Sequence, residues 1–289
     1  MPIHPSAPDD LSGLIEAFRQ TVQTVVDLGH TATAEDFERP TSCPGWTVKD
    51  HIAHVAALED FLEGGDYPRV DLPEREHVHH EFAEWMEWGV QVRRKTPGRA
   101  VVNELETLLL GRMASLGAPD LTLDTVVPAP MDSTRPLGDL LRLRIMDIWT
   151  HEQDLREVLG RPGGLDAPGA AVFLAGFERS FPVLAAERME LPEGTAVILD
   201  CTGPATGRIG VRMGRNPEGR PWAHALFSGG ADPVESTPLV EGPTTTIALS
   251  TDALTRRAAG RRATADLAYQ VTGDEALAVR VLDALVITP

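Results

Sequence analysis

Trp46-Thr47-Val48-Lys49-Asp50-His51-Ile52-Ala53-His54-Val55 and Arg144-Ile145-Met146-Asp147-Ile148-Trp149-Thr150-His151-Glu152-Gln153-Asp154-Leu155 decide how this chain reads. In the second stretch Asp147 and His151 stand four residues apart, so on a helix they share one face. In the first, His51 and His54 are three apart and share a face in the same way. Two His-bearing faces meeting inside a helical bundle can hold a divalent metal with few enough ligands to leave room for a substrate.

Outward from these phrases the helical pattern continues. Residues 9–28 repeat Leu11, Leu14, Ile15, Phe18, Val22, Val25 and Val26 at helical spacing, with Asp9 or Asp10 as cap and Gly29 as stop. Thr47 reads as an N-cap with Asp50 as its capping-box partner, and the helix it opens ends near Gly64-Gly65. A third helix is expected from about Glu76 to Lys95, a fourth from Arg99 to Leu116 and a fifth from Leu137 to Leu159, with residues 117–136 irregular. Gly160-Arg161-Pro162-Gly163-Gly164 ends the last of these. Ala167 to Met189 reads as a further helix containing Pro182. Beyond Pro192 short β-prone runs appear at 196–199, 208–212, 222–226 and 244–250, followed by helices from Thr251 and from Asp274 to about Leu285. The N-terminal half is therefore expected to be all-helical and the remainder α+β.

The bulk composition narrows the partners. With 26 basic and 43 acidic residues the formal charge is −17, which argues against nucleic acid and against a polybasic membrane anchor. Only Cys43 and Cys201 are present, far apart, so neither a disulfide framework nor a thiolate zinc site is expected. The N-terminus lacks a signal-like charged and apolar pair of regions, and no run reads as a membrane span, so a cytoplasmic, reducing setting is the expectation.

An Asp/His pair offers one oxygen and one nitrogen, a set that suits zinc or a neighbouring divalent ion, with His54 the best third ligand. The same pair also reads as a buried hydrogen bond without metal. His51 reads as solvent-facing or as a donor behind the ligands. His77, His79 and His80, with Glu76 and Glu81, read as a solvated face. Trp46, Trp85, Trp88 and Trp149 read as core fillers, and Cys43 as incidental.

Cys43-Pro44-Gly45-Trp46-Thr47-Val48-Lys49-Asp50-His51-Ile52-Ala53-His54 resembles the N-terminal signature of the mycothiol-dependent maleylpyruvate isomerase family, within the DinB-like superfamily. Asp147-Ile148-Trp149-Thr150-His151-Glu152-Gln153-Asp154 resembles that family's second metal motif. The C-terminal part is similar to the family's smaller domain through Thr244–Ser250, Leu254 and Gly260-Arg261. The resemblance implies an α plus α+β chain: a DinB-like four-helix bundle over residues 1–165, then a sterol-carrier-like α/β domain over 166–289 that includes a connecting helix.

It further implies a divalent metal, usually zinc, held by His54, Asp147 and His151, and mycothiol as thiol cosubstrate. The family most often has Glu where this chain has Asp147, one methylene shorter. The implied chemistry is thiol addition to a small, anionic electrophile such as maleylpyruvate, then rotation and elimination, or thiol transfer in relatives. Asp154 would orient His151 or contact the thiol, or else pair at the surface with Arg156 or Arg161. Arg261 would bind an anionic substrate, or be surface charge. The alternatives are a non-catalytic metal-bearing binding or regulatory module and a zinc-dependent hydrolase; no HExxH phrase supports the latter.

Overall fold

The computed structural model describes residues 3–75, 77–227 and 240–287. The chain divides into two compact units. One runs from Pro8 to Gly164; the other comprises the residues up to Ala7 and those from Leu165 onward.

The first unit is built on α1 (Leu11–Thr31), α2 (Val48–Leu62), α3 (Glu81–Arg93), α4 (Gly98–Leu116) and α5 (Leu137–Leu159). α1 packs on α4 and α5, α2 packs on α4, and contacts between α2 and α5 close the four-helix ring. α3 lies outside it, against α2. Leu14, Phe18, Val22 and Val25 of α1 are buried with Ile52, Leu105, Ile145 and Ile148. Each such side chain contributes about 1.5–3 kcal/mol relative to exposure. Gly29 is not the stop of α1, which runs on to Thr31. Its role is close approach: a Cβ there would lie 2.6 Å from Val102 Cγ2 of α4. At the end of α5, Gly160 takes the left-handed conformation at φ 65° that glycine adopts without cost.

Two further expectations are corrected in this unit. α3 begins at Glu81, because the His80 ring accepts a hydrogen bond from the Ala83 N–H and caps it there; Glu76 lies outside the described residues. The stretch 117–136, expected to be irregular, contains a hairpin of β1 (Val126–Ala129) and β2 (Ser133–Pro136). Met131 and Asp132 make its turn with positive φ, a demand that no Asn-Gly or Asp-Gly pair announces.

The second unit is a five-stranded mixed sheet in the order β5-β4-β3-β6-β7. Its strands are β3 (Ala196–Thr202), β4 (Gly207–Arg215), β5 (Pro221–Leu226), β6 (Thr244–Ser250) and β7 (Tyr269–Thr272). Only the β3–β6 pair is parallel, in register from Ala196 opposite Thr244 to Thr202 opposite Ser250. α6 (Pro168–Arg188) packs on β4 and β5, while α7 (Thr251–Ala258) and α8 (Glu275–Asp283) pack around β6. β7 alternates as Tyr269-Gln270-Val271-Thr272, but its four residues are too short a run to stand out in the sequence. His4 bridges to Thr206 through two 2.8 Å backbone bonds, tying the N-terminal residues into this unit. α6 is long and apolar enough to cross a membrane, contrary to the expectation for this chain, but Phe173, Phe177 and Phe181 along it are buried within the unit. Neither cysteine is in a disulfide, and burial pushes the Cys201 thiol up to about 12.

The capping box at α2 is formed in both directions, with Thr47 N–H on Asp50 Oδ2 at 3.0 Å and Asp50 N–H on Thr47 Oγ1 at 3.4 Å. Thr47→Ala is therefore expected to lower the unfolding free energy by about 1 kcal/mol, measured from the urea midpoint. An unchanged midpoint would show that the cap does not hold this helix start.

Candidate metal centre

The loop before α2 is folded tightly for a local reason. Cys43-Pro44-Gly45-Trp46 turns back with Trp46 N–H on the Cys43 carbonyl at 3.2 Å. Proline second and a glycine at φ 75° third is the pattern of a type II turn. Thr41 N–H bonds the Trp46 carbonyl and Val48 N–H the Arg39 carbonyl, so the turn is anchored to the first turn of α2. This arrangement sets Trp46 against the rings of His51, His54 and His151, with centroids 5.4, 5.0 and 5.4 Å away.

His54 from α2 and Asp147 and His151 from α5 converge. One ligand atom from each lies within 4.8 Å of the others. His54 Nε2 is 3.2 Å from Asp147 Oδ2, and His151 Nε2 is 3.4 Å from Asp147 Oδ1. A tetrahedral ion with ligands at 2.0–2.1 Å spaces its ligand atoms at about 3.3 Å, so the donor set and these separations fit zinc. The same separations serve hydrogen bonds when a proton occupies the place of the ion. The two imidazoles are almost fully buried, whereas Asp147 keeps 28% of its side chain exposed, so the cluster opens to solvent on the Asp147 side. His54 Nδ1 is buried and has no hydrogen-bond partner among the described residues.

A second layer stands behind His151. Its Nδ1 lies 2.9 Å from His51 Nδ1 and 3.5 Å from Asp154 Oδ2. His51 Nε2 in turn meets Thr41 Oγ1 at 2.8 Å. Without an ion, His151 Nε2–H faces Asp147 Oδ1 at 3.4 Å; with an ion bound, a proton kept on Nδ1 toward Asp154 would leave Nε2 as the lone-pair nitrogen a ligand requires. Asp154 is fully buried and accepts from Ser42 Oγ at 3.3 Å. His51, His151 and Asp154 form a second candidate ligand group, entirely buried.

Arg144, one turn before Asp147, donates to Asp147 Oδ2 at 2.5 Å and to Glu59 of α2 through Nε at 2.9 Å. Glu59 also accepts from Arg112 of α4 at 2.9 Å. Burial works against the Asp147 charge, but His54, the Arg144 guanidinium and hydrogen bonds from both imidazoles outweigh it and hold the carboxyl well below its usual range. Burial lowers His54, which favours the neutral imidazole a ligand requires. His151 is raised, because hydrogen bonds to Asp147 and Asp154 overcome the burial that would lower it.

The family model for the mycothiol maleylpyruvate isomerase N-terminal domain matches residues 5–156, more than half of the chain and both clusters. The chain belongs to this family. No curated protein matches it in sequence. Two solved structures share its fold. The crystal structure of the mycothiol-dependent maleylpyruvate isomerase is 19% identical, with a TM-score of 0.51 over 91% of this chain and 92% of that one. That of a histidine-to-alanine mutant is 17% identical, with a TM-score of 0.52 over 90% and 92%. At these identities the likeness is one of fold.

Within this family member the sequence-derived residues separate. His54, Asp147 and His151 are brought together. Asp154 is not a surface partner of Arg156 or Arg161: Arg156 binds Glu152 at 2.6 Å and Arg161 the Thr31 carbonyl. His51 does not face solvent but lies fully buried behind His151. Arg261 belongs to the second unit, just past α7, where its Nη1 donates to the Ala259 carbonyl at 2.8 Å. His77 is not simply solvated: it packs on Gly45 and reaches Glu87 at 3.4 Å, while His80 is a helix cap. Sequence reasoning missed Trp46 as a wall of the cluster, and Arg144, Glu59 and Glu87 altogether. The available signal for Glu59 was its position eight residues after His51, on one stripe of an otherwise apolar helix segment.

Glu87, 1% exposed, fixes the Trp46 indole N–H at 2.9 Å and Arg94 at 2.6 Å. Glu87→Ala should destabilise the protein by about 3 kcal/mol in urea unfolding, because it leaves buried donors and a charge unpaired. A loss under about 1 kcal/mol would show that solvent satisfies them.

Proposed function

We propose that this chain is a metal-dependent enzyme that uses the low-molecular-weight thiol mycothiol on a small, anionic electrophile such as maleylpyruvate, as an isomerase or thiol transferase. The observation that carries this reading is the convergence of His54, Asp147 and His151 on one point, open to solvent at Asp147, in a member of the mycothiol maleylpyruvate isomerase family. The solved proteins of like fold are named as mycothiol-dependent maleylpyruvate isomerases.

The ligands we assign are His54, Asp147 and His151, with zinc as the ion their nitrogen and oxygen donors suit. When bound, such an ion lowers the pKa of a thiol that joins it and stabilises negative charge nearby. The residues of the chain then have distinct duties. His54 and His151 present imidazole nitrogens. Asp154 and His51 orient His151 through its Nδ1, so Asp154 acts as a positioning residue rather than one that touches the thiol. Trp46 covers the three imidazoles and keeps water from their faces. Arg261 is the candidate for an anionic group of the substrate, on the Gly260-Arg261 resemblance.

The purified 289-residue chain should carry about one zinc or similar ion per chain, and His54→Ala and His151→Ala should each lose it. Asp147→Glu should retain it. Changing His77, His79 and His80 together to Ala should leave metal content unchanged. Full occupancy in both single His variants would sink the site, and loss in the triple variant would move it to the other cluster. Maleylpyruvate turnover should require mycothiol. A metal-loaded protein that neither turns over maleylpyruvate nor binds mycothiol in titration would instead be a binding module or a hydrolase.

A further inference from the structure

We propose that Arg144 is a positioning residue for Asp147: it holds one carboxylate oxygen so that the other is presented to the metal, and Glu59 holds Arg144 in that pose. The inference rests on the metal reading above and concerns how the shorter acidic ligand is made to work. Asp147 Oδ2 is engaged by the guanidinium at 2.5 Å and also meets His54 Nε2 at 3.2 Å, whereas Oδ1 faces only His151 Nε2, at 3.4 Å, among the described contacts and carries no guanidinium. The two oxygens are therefore unequal before any ion arrives.

The guanidinium has little freedom. Arg144 is 2% exposed, and its Nε and Nη2 lie 2.9 and 2.8 Å from Glu59 Oε1. Glu59 is itself fully buried, and its second oxygen accepts from Arg112 Nε at 2.9 Å. Arg112 then reaches Glu63 at 2.8 Å. The clamp thus runs from α4 through α2 to α5, alternating in sign at each step. A planar fork is needed, because one side chain must meet two carboxylates in different directions. Outer-shell partners that orient a metal-ligating group typically affect metal affinity by about 10–100-fold.

The test uses Arg144→Lys in the full chain, with Glu59→Gln as a second variant that releases the other end of the clamp. Lysine keeps the positive charge but meets one carboxylate, not both. Zinc affinity, measured by competition with a chromogenic chelator, should fall by about 10–100-fold in Arg144→Lys. The visible absorption of the cobalt-loaded protein should shift, because the carboxylate meets the ion in a different way. Purely structural damage would lower the melting temperature of the metal-free protein and leave zinc affinity and the cobalt spectrum as in wild type. If Arg144→Lys does not fold, Glu59→Gln gives the same reading. Wild-type zinc binding with unchanged affinity in the folded variant overturns this inference and leaves the metal reading standing. A wild-type protein that takes up no zinc overturns both.

Discussion

A charge buried in a protein interior must be paired, and this bundle is organised around one unbroken seam of such pairs. It runs Arg112, Glu59, Arg144, Asp147, then His54 and His151, and on through Asp154 to Ser42. Desolvating an ion costs several kcal/mol, recovered only when partners meet it with good geometry. Because the seam alternates in sign across α4, α2 and α5, sliding any one helix breaks more than one pair. A one-residue slip moves a helix by about 1.5 Å and turns it by about 100°. The apolar core supplies the bulk of the folding energy. The seam adds register, which fixes how His54, Asp147 and His151 meet across two helices.

Local backbone geometry does the rest. The capping box starts α2 at Val48, which decides that His51 and His54 fall in its first two turns. The type II turn at Pro44-Gly45 brings Trp46 back over their rings. Glu87 then locks the indole from the far side, and Arg94 bridges Glu87 to Asp50 of the capping box. A cap, a turn and a buried carboxylate from α3 thus act on the same pair of histidines. This accounts for α3, which contributes no ligand and lies outside the ring.

What was legible in the sequence was local. α5 spans Leu137–Leu159 as its apolar repeat and its Gly160 stop require, and Thr47 and Asp50 form the cap their spacing announces. The Asp147/His151 pair follows from helical periodicity alone. What was not legible depends on partners distant in sequence. The role of Trp46 needs the turn and three rings from two helices, and Glu59 becomes part of the site only once Arg144 and Arg112 reach it from other helices. Buried arginines and glutamates read as surface when the chain is scanned one helix at a time. His51 shows the same effect: its 2.9 Å contact spans 100 residues of sequence. Strand β7 and the Val126–Pro136 hairpin were missed for another reason. The hairpin strands are largely exposed, so hydrophobic alternation has little to mark them with, and β7 alternates over only four residues.

The aspartate at position 147 brings these strands of reasoning together. A glutamate at this position would have one more methylene and about 1.5 Å more reach. A shorter side chain meets His54 of the opposite helix only if the helices bring their backbones close enough and the carboxylate is aimed. The observed separations of 3.2 Å to His54 and 3.4 Å to His151 show that both conditions are met here. A longer glutamate has an additional rotatable bond whose freedom is lost when it is fixed in a site. Aspartate loses less, but it depends on its neighbours for direction, and Arg144 supplies that direction from one turn away on the same helix. The Arg144–Glu59–Arg112 seam therefore sets where the short Asp147 carboxylate stands against His54 and His151.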